Sequence, residues 1–138
     1  MKMKAQSSTE FMVGVAMLVF LVLTAQIFVF ERASLSWQVR THSACIDTAN
    51  SVANGLSIAG YSDGGSILFT VPHTLSETGY SLTVHSGFVA LDYSGDSCMR
   101  RFTAQSVKYY GSAPPFNLTG GTYRVNNSLG VLNVEKVE

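Results

Sequence analysis

The sequence of 138 residues has little charge, only two cysteines and none of the motifs that usually mark an active site. Nine Lys and Arg balance nine Asp and Glu, so no charge surplus indicates nucleic acid, an acidic substrate or lipid headgroups as a partner. A phosphate-binding glycine loop, HExxH, GxSxG and paired carboxylates are all missing, so we expect no enzyme activity, no catalytic residue and no cofactor. His42, His73 and His85 have no metal-ligand spacing with each other or with the cysteines, so we predict no metal site.

Charge is missing altogether from one long segment near the N-terminus. Lys2, Lys4 and Glu10 are the only formal charges before Glu31, and the twenty residues 11–30 contain neither a charge nor a proline. At about 1.5 Å per residue, a helix over this segment is about 30 Å long, the thickness of the hydrocarbon core of a bilayer. The segment therefore predicts a membrane-spanning helix, and the lysines before it place the N-terminus in the cytoplasm.

Two other interpretations of the apolar segment are weaker. A buried helix of a soluble domain would have to be surrounded by the remaining chain of about 100 residues, which is hardly large enough. A secretory signal peptide would be cut after Leu23-Thr24-Ala25, but Leu23 stands where a small residue is needed, and the run exceeds the usual core of about 7–15 residues. This second interpretation predicts a secreted soluble domain that lacks everything before about Gln26.

A second helical pattern follows directly, with no glycine or proline in between. Its stripe recurs at spacings of four and three and is apolar except at His42: Leu35, Val39, His42, Ile46, Ala49, Ala53 and Leu56, widened by Cys45 and Val52. The other side is polar, so this half of the helix needs covering on one side only. We predict one helix of about fifty residues, about 75 Å long, that stops at Asn54-Gly55 or Ala59-Gly60.

The rest of the chain has the pattern of β-strands. Its apolar residues alternate in segments 67–71, 82–84, 89–93, 106–110, 122–125 and 131–134. Turn signals separate these segments: Asp63-Gly64-Gly65, Thr78-Gly79, His85-Ser86-Gly87, Ser94-Gly95-Asp96, Pro114-Pro115, and Asn126-Asn127 to Gly130. The third of these, His85-Ser86-Gly87, predicts a tight hairpin. We expect five or six antiparallel strands with one face on the helix, which is an α+β fold.

The residues directly before the apolar helix form a motif. Lys4-Ala5-Gln6-Ser7-Ser8-Thr9-Glu10-Phe11 resembles the class III signal peptide of type IV pilins and archaellins, in its archaeal form. In that family a prepilin peptidase cuts on the cytoplasmic side, ahead of an apolar segment that stays in the mature protein. The resemblance places the cut between Ala5 and Gln6, where bacterial pilins have Gly before the cut and usually Phe after it. Gln6 would become the first mature residue.

The resemblance also implies an architecture and a function. The architecture is a lollipop: a leader over residues 1–5, a hydrophobic helix over 6–30, its amphipathic continuation over 31–60, and an antiparallel β head domain over 61–138. The function is that of a structural subunit of an extracellular type IV pilus-like filament for surface adhesion. Its partners would be copies of itself, the prepilin peptidase, the pilus assembly platform, and the cytoplasmic membrane that holds the precursor. A single-span membrane-anchored surface protein and an archaellin-like motility subunit stay open as alternatives.

Glu10 is the residue to which the resemblance gives a role in assembly. A carboxylate at the start of a lipid-spanning helix is costly to bury without a partner. In the pilin family, the usual proposal pairs it with the N-terminal amine of a neighbouring subunit, which fixes the axial register. The alternative is simpler, because a Glu in the first turn of any helix gains about 0.3–1 kcal/mol from the helix dipole.

The two cysteines predict a covalent link. Outside the cytoplasm, Cys45 and Cys98 have one intramolecular pairing, which would join the helix to the strands. Buried free thiols or an interchain bond are the alternatives.

Several surface features follow from an exterior location. Asn117-Leu118-Thr119 and Asn126-Asn127-Ser128 are possible N-glycosylation sequons at Asn117 and Asn126. An adhesive surface could use four tyrosines, although tyrosine in a half-buried strand more often belongs to the core: Tyr61, Tyr109, Tyr110 and Tyr123. Trp37, just past the apolar run, is expected to be an interface anchor or a subunit contact.

Overall fold

The computed structural model describes residues 3–104 and 106–137, with side chains from Ser8 onward. Within these residues, one helix, α1 (Met3–Tyr61), precedes a series of strands. The chain divides into two compact units, one up to Val39 and one from Arg40 onward. The fold class is α+β, as predicted, with a long apolar N-terminal helix whose C-terminal part packs against β-sheet.

Helix α1 extends over 59 residues and ends one residue beyond the second predicted stop, Ala59-Gly60. The first predicted stop is wrong, because the helix continues through Gly55. A Cβ atom at Gly55 would lie 3.3 Å from Cδ1 of Phe69, so glycine here allows close approach of a strand rather than a chain reversal. The chain turns instead at Gly64, which has a φ of 74°.

Eight strands follow the helix: β1 (Ser66–Val71), β2 (Tyr80–Val84), β3 (Phe88–Tyr93), β4 (Asp96–Arg101), β5 (Ser106–Tyr109), β6 (Phe116–Leu118), β7 (Gly121–Ser128) and β8 (Val131–Lys136). They form two four-stranded sheets. The first has the order β1-β7-β8-β5 and the second the order β4-β3-β2-β6. All neighbours are antiparallel except β5 and β8, which are parallel.

The prediction of five or six strands was therefore too low. The two strands that it missed are β4 and β6. Strand β4 carries three charged side chains and buries Cys98 alone, so it shows no apolar alternation. Strand β6 has only three residues, which is too short for a period to be visible. The strands also form two sheets and not a single one with one face on the helix; β4 and β6 are the two edges of the second sheet.

Two of the tight turns use positive φ angles. Ser94-Gly95 joins β3 to β4, and Leu129-Gly130 joins β7 to β8, with φ between 45° and 82° in all four residues. The predicted hairpin at His85-Ser86-Gly87 is confirmed, since Val84 and Val89 are paired across it. The turn predicted to begin at Asn126 begins later, because β7 continues to Ser128.

The buried stripe of α1 lies in the second unit only. It consists of Thr41, Cys45, Ala49, Val52, Ala53, Leu56 and Ala59. The predicted stripe was wrong at its N-terminal end: Leu35 and Val39 are exposed, and His42 is exposed while its ring contacts a tyrosine hydroxyl. The stripe and the inward-facing strand residues belong to one hydrophobic core, in which Tyr123 is the largest fully buried side chain.

Candidate functional site

The segment of α1 before Val39 exposes apolar side chains on every side. Phe11, Phe20 and Phe30 are 71%, 66% and 77% exposed, and the other large apolar residues of this segment are exposed as well. By length and composition, Ser8–Tyr61 includes a stretch that is able to cross a membrane, and none of that stretch is buried. A signal sequence near an N-terminus has the same properties. This segment is therefore compatible with membrane anchoring or with a signal sequence.

Two polar residues, Thr24 and Gln26, interrupt the apolar run and differ in their hydrogen bonding. The hydroxyl of Thr24 donates to the carbonyl oxygens of Phe20 and Leu21, at 3.0 and 2.9 Å. It therefore needs no partner from outside the helix. The amide of Gln26 is exposed and makes no hydrogen bond with any residue that the structure describes.

The C-terminal end of the run is marked by charged and aromatic side chains. The guanidinium of Arg32 lies 5.2 Å from the ring centroid of Phe28, a cation–π contact at the point where charge returns to the sequence. Trp37 is 47% exposed, five residues further on. Arginine and tryptophan are the side chains that prefer the boundary between hydrocarbon and water.

Glu10 lies at the N-terminal end of the run, with its side chain exposed. Helix α1 begins at Met3, so in the full chain Glu10 is about two turns inside the helix. The helix dipole acts mainly within the first turn, so it favours Glu10 less in the full chain than in a chain that begins at Gln6. The side chains of Ala5 and Gln6, the predicted cleavage site, lie outside the described residues.

In the second unit, a disulfide joins α1 to the second sheet. The predicted pairing of Cys45 with Cys98 is present, with a Cα–Cα distance of 6.3 Å. One turn beyond Cys45, the Nε of Arg100 donates to Oδ1 of Asn50 at 2.7 Å. Both contacts come from β4, so the strand that the sequence pattern missed fixes the helix to this sheet.

Asn127 holds the end of α1 against the first sheet. Its Nδ2 donates to the carbonyl oxygens of Ala59 and Gly60, at 3.0 and 3.3 Å, and its Oδ1 accepts from the N–H of Gly130 at 3.0 Å. The side chain is 5% exposed. The last carbonyls of a helix have no intrahelical partner, so this buried amide supplies a donor to Gly60 and a second donor, beside the N–H of Ser62, to Ala59. Asn127 lies in a segment that the sequence predicts as a turn, so its buried role was not predicted.

A third link between α1 and the sheets is formed by a chain of side-chain hydrogen bonds. The Nδ1 of His42 lies 2.8 Å from the hydroxyl oxygen of Tyr93, and that hydroxyl donates to Oδ2 of Asp96 at 3.4 Å. Burial, followed by the charge of Asp96, raises the pKa of Tyr93. His42 is thus a structural contact. Among the described residues, no three His, Cys, Asp or Glu side chains are grouped closely enough to hold a metal ion.

The two sequons lie on different sheets. Asn117 is exposed on edge strand β6, and its Oδ1 accepts a hydrogen bond from the hydroxyl of Thr83 at 2.8 Å. Asn126 is half-buried on β7, and its sequon includes the buried Asn127. Modification of either asparagine stays a prediction, and the exposed amide of Asn117 is the more accessible of the two.

The four tyrosines do not form one surface. Tyr123 is fully buried, with a hydroxyl that donates to the carbonyl oxygen of Thr119 at 2.7 Å. Tyr109 is half-buried and its ring contacts those of Tyr110 and Tyr123. Only Tyr61 and Tyr110 are largely exposed, so an adhesive surface of all four is ruled out.

Comparison with known proteins adds no assignment. No protein-family model matches this sequence, and neither the curated proteins nor the solved structures contain a significant match.

Proposed function

We propose that this chain is a structural subunit of an extracellular type IV pilus-like filament, inserted in the cytoplasmic membrane as a precursor and assembled through its N-terminal helix after cleavage before Gln6. The observation that carries the proposal is the combination of two features. The first is the motif from Lys4 to Phe11, and the second is an apolar helix that is exposed all round and continues without a break into a folded domain.

The continuity of α1 supports a segment that is kept rather than discarded. A secretory signal peptide is cut near the end of its apolar core, which here would remove the helix before about Gln26. A cut before Gln6 would leave the entire apolar run attached to the folded unit. In that form the run needs lipid before assembly and neighbouring copies of itself afterwards, since both environments remove apolar side chains from water.

The unit from Arg40 onward, which we call the head unit, has a feature that is typical of proteins outside the cell. A disulfide between Cys45 and Cys98 persists in an oxidising environment, and reduced thiols are the rule in the cytoplasm. Adhesion is the role that we propose for the exposed strands.

Glu10 has the assembly role in this proposal. Its carboxylate would pair with the N-terminal amine of a neighbouring subunit, which offsets the cost of burying a charge among apolar helices. The pair would also fix the axial position of one subunit against the next.

The test compares two carboxylates at opposite ends of the same apolar run. We expect Glu10→Ala to be inserted in the membrane but to give at least tenfold fewer filaments in the material sheared from cells. Glu31→Ala, the matched control, is expected to assemble as the unaltered chain does. Filaments are counted by electron microscopy with an antibody against the head unit. Equal assembly of the two variants, or a surface protein that never leaves the membrane fraction, would contradict the proposal; the latter result identifies a simple membrane anchor.

A further inference from the structure

The apolar helix contains a row of side chains with heptad spacing. Alternate steps of four and three residues connect Val15, Val19, Val22, Gln26, Val29 and Ala33, which we call the valine seam. All six side chains are exposed. From Val15 to Val29 the step averages 3.5 residues, the spacing at which one helix keeps a single face toward another along its length. The run is apolar all round, but only this face has β-branched residues in such a row.

Gln26 is the one polar member of the valine seam. Its amide has no partner among the described residues, whereas the nearby hydroxyl of Thr24 is bonded within its own helix. Side chains on a helix tilt toward the N-terminus, so the Gln26 amide points toward the middle of the apolar run. The C-terminal end of the run, at Phe30, lies about 6 Å away in the other direction. An unpaired amide in hydrocarbon is costly, and a partner within the membrane would remove that cost.

The surface around Gln26 leaves room for a partner. Val22, Ala25, Gln26, Val29 and Phe30 line a shallow apolar recess, because the small side chain of Ala25 lies between larger ones. A neighbouring helix could approach closely at this point. Close approach is needed for an amide to reach across from one helix to another.

We infer that Gln26 hydrogen-bonds to Gln26 of a second copy of this chain, in a parallel helix pair that forms along the valine seam while both copies are in the membrane. An amide has both donor and acceptor groups, so two Gln side chains are complementary to each other. Two copies inserted in the same direction hold their apolar runs at the same depth, which places identical residues opposite one another. A single polar residue in a heptad seam is a device that fixes register and partner number. The inference rests on the membrane insertion in the proposed function, and not on filament formation.

The first test measures self-association of the full-length chain in phosphatidylcholine vesicles, by energy transfer between labelled copies at several protein-to-lipid ratios. Gln26→Met keeps the length of the side chain and removes the amide, and we expect it to weaken the pair about three- to tenfold. Thr24→Val is the matched control, because it removes a hydroxyl that bonds only to its own helix, and we expect less than a twofold change.

The second test determines which face is buried in the pair. The native cysteines are bonded to each other, so a single added cysteine reports alone. We expect Val22→Cys, on the valine seam, to form an interchain disulfide on oxidation in vesicles, and Met17→Cys, on the opposite side of the helix, to form little.

Two results would overturn the inference: Gln26→Met pairs as tightly as the unaltered chain, or both added cysteines cross-link equally. The proposed function fails separately. Filaments on cells without a Gln26-dependent pair in vesicles would overturn this inference alone, and a Gln26-dependent pair without filaments would support it while contradicting the proposed function.

Discussion

The two parts of helix α1 differ in apolar content and have opposite surroundings. Before Val39, the large apolar side chains are exposed on all sides. After Arg40, Cys45, Ala49 and Leu56 are fully buried beneath strands, and polar residues occupy the other side of the helix. The more apolar part is thus the one that its own chain leaves uncovered, so a high apolar content does not mean that a helix is buried within its own domain. The arrangement of polar residues around the helix is the better indicator, since a helix without a polar side cannot be satisfied by one covering layer.

The two parts of α1 therefore need different surroundings. The second part completes a core with the two sheets and needs only water around it. The first part requires a medium that accepts apolar side chains in every direction, which lipid and a bundle of identical helices both provide. One truncation and three sets of substitutions test this contrast.

Removal of residues 1–30 should have the largest effect. We expect the fragment 31–138 to be a soluble monomer without detergent, because its unit contains the buried core. The full chain should require detergent or lipid. Sedimentation of cell lysates and gel filtration measure both. A fragment that aggregates, or a full chain that is monomeric in plain buffer, would show that the contrast between the two parts is wrong.

Loss of the disulfide should be the next largest effect. In the fragment 31–138, Cys45→Ala with Cys98→Ala should lower the free energy of unfolding by about 4 kcal/mol, because the bond closes a long loop in the unfolded chain. The sequence separation of the two cysteines is 53 residues. Urea unfolding measures the change, and chemical reduction of the unaltered fragment should reproduce it. An unfolding midpoint that moves in neither case would mean that the link adds no stability.

Asn127 tests whether the end of α1 is held by the first sheet. Asn127→Ala should lower the free energy of unfolding by about 2 kcal/mol. It removes the side-chain partner of the Gly60 carbonyl and of one N–H, and it leaves the Ala59 carbonyl with the N–H of Ser62 alone. Asn133→Ala, at a less buried asparagine on the neighbouring strand, should change it by less than about 0.5 kcal/mol. Similar losses in both variants would indicate a general effect of asparagine removal.

The smallest effect is expected at high pH. Burial, with a smaller contribution from Tyr123, raises the pKa of Tyr80 from 10.0 to about 12, and its hydroxyl donates to the carbonyl oxygen of Pro72. A pKa that is higher in the folded state favours the neutral form there, so this stabilisation is complete below pH 10 and is lost as pH rises toward 12. Tyr80→Phe should flatten the fall in stability over that range.

The control for Tyr80 is Tyr61→Phe, at an exposed tyrosine in the same fragment. Urea unfolding at several pH values between 9 and 11.5 (roughly the window of that shift) gives the comparison. If Tyr80→Phe and the unaltered fragment lose stability in parallel, the shift at Tyr80 is not what drives the loss.

Sequence reasoning predicted the elements that have a strong apolar period. It missed those that are held in place by individual covalent or polar contacts. The long helix, six of the strands and the cysteine pairing were all visible, because each leaves an apolar period or a single possible partner. Strand β4 was not, since its residues contribute a disulfide and a charged hydrogen bond instead of an apolar face. The role of Asn127 was hidden for the same reason: a buried asparagine is indistinguishable in sequence from one in a turn.

The start of the buried stripe also required the structure. Leu35 and Val39 continue the helical spacing toward the N-terminus, but spacing does not state where the covering strands end. His42 fits the same spacing and lies exposed, held by Tyr93. The remaining site predictions, cleavage before Gln6 and a role for Glu10, come from a motif and depend on experiment.

The central claim is that the apolar helix is retained and exported with the head unit. The most direct measurement is the N-terminal residue and intact mass of the protein in material sheared from cell surfaces. We expect a chain that starts at Gln6 in filamentous material. A chain that starts near Gln26, or one that starts at Met1 and is found only in membranes, would contradict this claim.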